Sequence, residues 1–514
     1  MLPTPLRAKP DALFWWMLGG ALLAAGLLVR AALYFPLAAF PIDSDGVLAG
    51  LCAFRIEGGH YPAFFPGGTR LSAASCYVAA AFFGAIGPGR TGLALTGLTW
   101  GALYLAFTLA FLRAVLGRRA ACAAFVFAAF PAAAFVTVTY VPWGYGEIVA
   151  SCAATLWLAA LWRGDGRPWQ RLGFGIGVGF GIWISLQTLV VAVPAVVWIA
   201  LARRRTIVRE SGLALAGALA GATPFWIGNA GRGFPSFTQN WASRPASSFA
   251  QVWANLAWVV TAPLPQLLFY QLAGWWSLST AIVVGYVLTG AGFIAAVSRN
   301  ARGRDAPVGA RAAGLLVLLV AAAAIGFYAA SQAGSVRGWT VRYIAPLYVV
   351  IPLLCGIGVS ALWQRSRWLA VAAVAAIVVP NLTLYSLPGT AARAVLAARL
   401  HADDRLGALL ARDRVRMVYG DYFDVYDLNF DTHESVAGVP AIPALDYLDY
   451  AGALPASGVR WALLGRDAGR IRAWAGALGV RGTTTAVGDR TLFVAGSPAG
   501  GTARLLTALR RASP

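Results

Sequence analysis

Eight acids lie within residues 1–388, and half of them stand where a carboxylate could do chemistry. Asp11, Asp165, Glu210 and Asp305 sit among arginines, where ordinary ion pairing accounts for them. Asp43, Asp45, Glu57 and Glu147 have no basic run beside them. The first three share the stretch Pro41-Ile-Asp43-Ser-Asp45-Gly, continuing to Glu57-Gly-Gly-His60-Tyr61-Pro62. Glu147 closes Tyr140-Val-Pro-Trp-Gly-Tyr145-Gly-Glu147, at the mouth of an apolar run. Acids at a membrane boundary are functional candidates. A carboxylate there can take a proton from an attacking group, and two or three with waters can hold a hard divalent cation such as Mg or Mn. Glu57 reads as a solvated loop acid. One of Asp43 and Asp45 is expected to cap the helix that follows, a job that does not need two acids. On the basic side, Arg337 and Arg342 flank the start of a late apolar run. They are either snorkelling anchors or forks for an anionic oxygen.

The elements that must position these residues are apolar helices. The chain has 514 residues, 59% hydrophobic and 12% charged, with a mean hydropathy of +0.67. Soluble domains carry about 25% charge. A soluble enzyme, a disordered chain and a small disulfide scaffold are excluded. A net charge of +21 would suggest nucleic acid in a soluble protein, but the arginines fall in short gaps between apolar runs, which marks topology and not a nucleic-acid partner. Runs of about 20 apolar residues place eleven spans, near 12–35, 91–112, 120–140, 147–162, 172–186, 188–202, 211–230, 277–297, 312–331, 343–362 and 368–388. The run from Asp11 to Phe35 is too long for a signal-peptide core and is expected to remain as the first span. With the N-terminus inside, the inner segments hold 18 bases against 8 outside, so the C-terminus is expected outside. Crossing by the run 72–87 would invert this pattern, so it is placed as a helix at the outer interface. Residues 389–514 hold 12 of the chain's 20 acids and short apolar runs at Val415–Tyr419, Val459–Leu464 and Thr491–Val494. They are expected to form a small extracytoplasmic α/β domain, separate from a membrane domain over 1–388. Its stretch Asp421, Asp424, Asp427 and Asp431 reads as a solvated face balanced by arginines. Of the five cysteines, Cys52 and Cys76 share one outer loop, where a disulfide is open, although buried free thiols are the reading adopted.

The order of these features resembles the GT-C membrane glycosyltransferases, among them protein O-mannosyltransferases and lipid A aminoarabinose transferases. The resemblance rests on an acid after the first span, an interfacial helix, the Gly59-His60-Tyr61-Pro62 turn and a second apolar helix. It continues in Gly181-Ile-Trp-Ile-Ser185-Leu-Gln187, Gly221-Ala-Thr-Pro224-Phe-Trp-Ile-Gly-Asn229, Arg342-Tyr343-Ile-Ala-Pro346-Leu-Tyr348 and Tyr419-Gly-Asp-Tyr422-Phe-Asp-Val-Tyr426. It implies a polytopic helical enzyme of the bacterial inner membrane with its active site and C-terminal domain outside the cytoplasm. Such an enzyme moves a sugar, with inversion, from a polyprenyl-phosphate donor to a hydroxyl of a glycan, lipid or protein acceptor. On that reading Asp45 is the base, with Asp43 its competitor and Glu147 a second acid. Arg342, Arg337 and Gln187 would meet the donor phosphate, and His60, Tyr61, Tyr145 and Tyr343 would line the substrate. A divalent cation bridging Asp45, Glu147 and the phosphate ranks below direct arginine contact. Two departures stand out: Gly46 follows Asp45 where many members have adjacent acids, and Gln187 replaces a common Lys. The alternatives are a transporter or a lipid-linked polysaccharide flippase or ligase.

Overall fold

The computed structural model describes residues 10–39, 44–66, 68, 71–140, 144–231, 233–238, 245–268, 276–300, 307–335, 341–386, 391–442, 447–450 and 459–496. Its first half runs α1 (Pro10–Ala39), α2 (Ser44–Glu57), α3 (Ala74–Ile86), α4 (Arg90–Leu116), α5 (Arg118–Ala129), α6 (Ala133–Tyr140), α7 (Tyr145–Gly164), α8 (Pro168–Ile184), α9 (Leu189–Ala202), α10 (Ile207–Gly221) and α11 (Thr223–Ala230). Then come α12 (Pro235–Thr238), α13 (Phe249–Thr261), α14 (Pro263–Leu268), α15 (Trp276–Ser298), α16 (Ala310–Ala330), α17 (Val341–Ile344), α18 (Ile351–Arg365) and α19 (Arg367–Ser386). All eleven expected segments are helical. Helices α1, α4, α7, α15 and α16 are long and apolar enough to cross a membrane singly, and three bent pairs raise the number to eight. The expected eleven therefore exceed what length and apolarity support among the described residues. The shortfall lies at α8, α9 and α19, which fall short of that test. Helix α3 has 13 residues and packs on α2 and α4.

Broken helices leave orphan carbonyls, which a bilayer does not hydrate. Arg30 answers this at the α5–α6 break. It is 1% exposed and donates to the carbonyls of Ala129 and Ala128, both at 3.0 Å. Asn381 donates to Phe130 O at 3.4 Å. The Ala132 amide donates to Tyr348 Oη at 3.3 Å. Glu210, expected in ordinary surface pairing, is buried instead. It accepts from Arg203 and from Trp162 Nε1, each at 2.8 Å, and so ties the ends of α7, α9 and α10. Helix α13 was not among the expected elements. It turns Phe249 and Trp253 outward and buries Asn255 and Val259.

The remaining chain forms α20 (Ala391–Arg412), β1 (Met417–Gly420), α21 (Tyr422–Asp431), β2 (Ala437–Pro440), β3 (Trp461–Gly465), α22 (Ala468–Ala477), β4 (Gly482–Val487) and β5 (Arg490–Ala495). The strands make one sheet in the order β2-β1-β3-β5-β4. Strand β1 runs parallel to β2 and β3, and β5 antiparallel to β3 and β4. Three of these strands overlap the expected apolar runs.

The sheet shares a core with α2 and α3, not with the main helical bundle. Val47, Leu48 and Leu51 of α2 cluster with Val418, Tyr426 and Phe430. Phe54 stacks on Phe430 at 5.6 Å between centroids. Gly50 lies so close beneath Phe430 that a Cβ there would run into the ring. Cys52 and Cys76 form a disulfide between α2 and α3, with Cα atoms 5.5 Å apart, where free thiols were expected.

Charges reinforce this docking. Arg90 of α4 grips Asp431, with Nη2–Oδ2 at 2.7 Å and Nε–Oδ1 at 3.0 Å. Asp424 is 3.1 Å from Arg490 Nε. Asp424 and Asp427 are 1% and 2% exposed, so the acidic stretch is not the expected solvated face. Residues 424, 427 and 431 follow helical spacing and form one stripe that turns toward arginines from distant elements. Asp427 makes no hydrogen bond, and Arg90 Nη2 is 3.8 Å away. Burial pushes its pKa up to about 8. A carboxyl whose pKa rises on folding holds its proton more tightly in the native state, so stability falls as pH climbs from about 4 through 8. The melting temperature should decline over that window. Asp427→Asn should abolish this part of the decline, matching the parent near pH 5 and exceeding it at pH 9. Identical pH slopes for the two proteins would refute the assignment.

Candidate active site

Asp45 stands in the first turn of α2, where the helix dipole favours a carboxylate. Its Oδ1 accepts a 2.6 Å hydrogen bond from Tyr422 Oη, the first residue of α21. The Tyr422 ring is held by Tyr426, Phe423 and Tyr447, with centroids at 5.1, 5.1 and 5.6 Å. Burial, and then the Asp45 charge, raise the phenol pKa above its usual value. The hydroxyl therefore remains a donor.

Arg342 approaches from α17. The guanidinium lies 5.0 Å from the Tyr343 ring centroid, and Nη2 donates to Tyr343 Oη at 3.2 Å. Tyr145, at the start of α7, meets the same ring edge-to-face at 6.5 Å. Gln187 sits behind the arginine, in a 3-10 turn (Leu186–Thr188) between α8 and α9. Its Nε2 donates to the carbonyls of Tyr343 at 2.6 Å and Arg342 at 3.3 Å. In this arrangement Gln187 holds the backbone that carries Arg342.

Glu147 is 1% exposed and faces a different set of partners. One carboxyl oxygen pairs with Ser75 Oγ of α3, which in turn accepts from Trp100 Nε1 of α4 at 3.0 Å. The other oxygen is buried without a hydrogen bond. This acid links α3, α4 and α7. His60 and Tyr61 are exposed, Tyr61 at 73%. Their turn is secured just beyond, by Tyr77 Oη on Pro62 O at 2.9 Å and Trp183 Nε1 on Ala63 O at 2.8 Å. Asp43 and Arg337 lie outside the described residues.

The structure thus gathers Arg342, Tyr343, Tyr145 and Gln187, and bonds Asp45 to Tyr422. Sequence reasoning gave no site role to Tyr422, Ser75 or Trp100. Tyr422 lay within a quoted motif, but nothing local couples it to an acid 377 residues away. Among the described residues no three His, Cys, Asp or Glu side chains converge to hold a metal ion. Asp43 lies outside those residues, and no chemical step is routed here through a cation.

Removing the Ser75 hydroxyl strips a buried carboxyl of its partner, which costs about 1–3 kcal/mol. Ser75→Ala should therefore lower the melting temperature more than Glu147→Gln, which keeps a hydrogen-bonding group facing Ser75. Equal melting of Ser75→Ala and the parent would show the pair to be idle.

No protein-family model matches the chain, and no curated protein matches it. Solved structures do. ArnT from Cupriavidus metallidurans bound to undecaprenyl phosphate aligns with a TM-score of 0.63 at 13% identity, covering 92% of this chain and 97% of that one. The apo state of the same ArnT aligns with a TM-score of 0.62 at 14% identity, covering 94% and 98%. At such identity the likeness speaks for architecture, and it runs nearly end to end in both chains. The chain has the fold of the GT-C membrane glycosyltransferases.

Proposed function

We propose that this chain is an inverting glycosyltransferase that moves a sugar from a polyprenyl-phosphate donor to an acceptor hydroxyl at the outer face of a bacterial inner membrane. The observation that carries this reading is an acid at the head of α2, held by Tyr422, and an arginine set among tyrosines at α17, within a fold whose ArnT counterpart binds undecaprenyl phosphate. One group accepts a proton and the other receives an anion. The acceptor oxygen attacks the anomeric carbon from the face opposite the phosphate. The new carbon–oxygen bond forms as the carbon–phosphate-oxygen bond breaks, and the configuration inverts. Asp45 takes the hydroxyl proton. Phosphate leaves as a stable anion, so no second acid is needed to protonate it, in contrast to a glycoside hydrolase. Arg342 stabilises its charge through a planar fork that a lysine does not reproduce. Tyr145 and Tyr343 offer ring faces and hydroxyls to the sugar.

The disulfide between Cys52 and Cys76 supports the outward placement, because disulfides persist in oxidising compartments. Residues 1–388 would form the membrane-embedded catalytic domain and 389–514 the extracytoplasmic one. Reporter fusions at positions 118, 165 and 400 should read inside, inside and outside. A cytoplasmic signal at 400 would overturn the orientation.

The chemistry is tested by incubating the purified protein with a panel of labelled polyprenyl-phosphate sugars. Asp45→Asn should cut turnover by about 10²–10⁴ with little change in melting. Arg342→Ala should cost about 10²–10³, and Arg342→Lys should recover only part of that. Near-normal turnover in Asp45→Asn would remove Asp45 as the base.

A further inference from the structure

We infer that Tyr422 is a positioning residue for Asp45, so that the C-terminal sheet domain completes the active site. The inference rests on the function proposed above. Three observations carry it. First, Tyr422 Oη donates to Asp45 Oδ1 at 2.6 Å, a short charge-assisted hydrogen bond. Second, the phenol is not a mobile surface group. Tyr422 is 7% exposed and packed by three rings from its own domain. Tyr426 beneath it is fixed in turn, donating no freedom to the stack: its ring meets Tyr450 at 5.7 Å, and its Oη accepts from the Leu448 amide at 3.3 Å. Third, the domain is held in register on α2 by the Gly50–Phe430 approach and the Phe54–Phe430 stack. Ion pairs at 3.4 Å from Arg55 to Glu434 and 2.7 Å from Arg90 to Asp431 add to that hold.

A carboxylate in the first turn of a helix has several staggered rotamers open to it. One fixed donor from the opposite domain selects among them. The same donor favours the ionised form, the one that acts as a base. Among the described residues, Tyr422 of α21 is hydrogen-bonded to Asp45, and Arg342 of α17 is a charged group that bears on it. Tyr422 exchanges no atom with substrate. Its effect is on where Asp45 points and how readily it stays charged.

Tyr422→Phe removes the hydroxyl and keeps the ring packing. In assays with the labelled donor that the parent protein accepts, kcat should fall roughly 10- to 100-fold, the range for losing a hydrogen bond to a charged group. KM for the donor should stay within about twofold, a split that separates positioning from binding. The acid limb of the pH–rate profile should move to higher pH. Added to Asp45→Asn, the change should lower the residual rate no further. Parent-like turnover with an unmoved profile, or losses that multiply in the double variant, would overturn the inference. A melting cycle reads the contact without catalysis. Tyr422→Phe should lower the melting temperature by roughly 1–3 °C beside Asp45 and leave it unchanged beside Asp45→Ala. Equal shifts in both backgrounds would show no contact, and the inference would fall. If the parent protein transfers none of the panel sugars, the function proposed above fails by itself, and the melting cycle still decides whether Tyr422 holds Asp45.

Discussion

The seating of Phe430 on Gly50 and Phe54 is the contact on which the rest of the arrangement depends. It joins the sheet domain to α2, the helix that bears Asp45. Burying one aromatic side chain is worth roughly 1.5–3 kcal/mol, and here it sits inside a cluster that also includes Val47, Leu51, Phe83 and Tyr426. The disulfide passes this constraint to α3. Residues 75 and 76 then divide the work: Cys76 ties α3 to α2, and Ser75 meets Glu147 of α7. Asp45 and Glu147 thus lie at opposite ends of one connection.

A second constraint comes from the backbone. Helices bent within a bilayer expose polar groups that lipid does not satisfy, and the same few side chains answer it repeatedly. Arg30 covers the end of α5, Asn381 covers Phe130, and Gln187 covers the carbonyls beside Arg342. Asn255 does the same for Ala329 at 3.0 Å. Arg30 is the best buried arginine among the described residues and its donors go to carbonyls. An ionisable residue in a membrane helix therefore need not mark a transport path.

What was legible in the sequence followed from local pattern. Apolar runs gave helices wherever about 20 residues kept one character, and short apolar runs between polar stretches gave β1, β3 and β5. Placing the run 72–87 short of a crossing came from counting arginines, and α3 has only 13 residues. Long-range contacts were not legible. The acidic stretch of α21 was assigned to solvent because Arg90 and Arg490, which meet its inner stripe, lie far off in the chain. The same distance hid the Tyr422–Asp45 bond, whereas Cys52 and Cys76, only 24 residues apart, stood open as a pair and were read as buried thiols. Of the candidate site, the residues named from the resemblance include four that the structure gathers. The partner that touches the central acid could be found only once the fold placed it there.

The 377 residues between Asp45 and Tyr422 carry a consequence for how the protein is made. Ribosomes add about 5–20 residues per second, so roughly 20 to 75 s separate the synthesis of the two ends of this bond. Through that interval the face of α2 that will meet the sheet domain waits uncovered, apolar and without its clamp. The last strand to arrive, β5, carries Arg490, which pairs with Asp424 of α21. A chain cut before β5 therefore keeps the helical bundle and Tyr422 but lacks the arginine that pairs with Asp424 of the helix bearing that tyrosine.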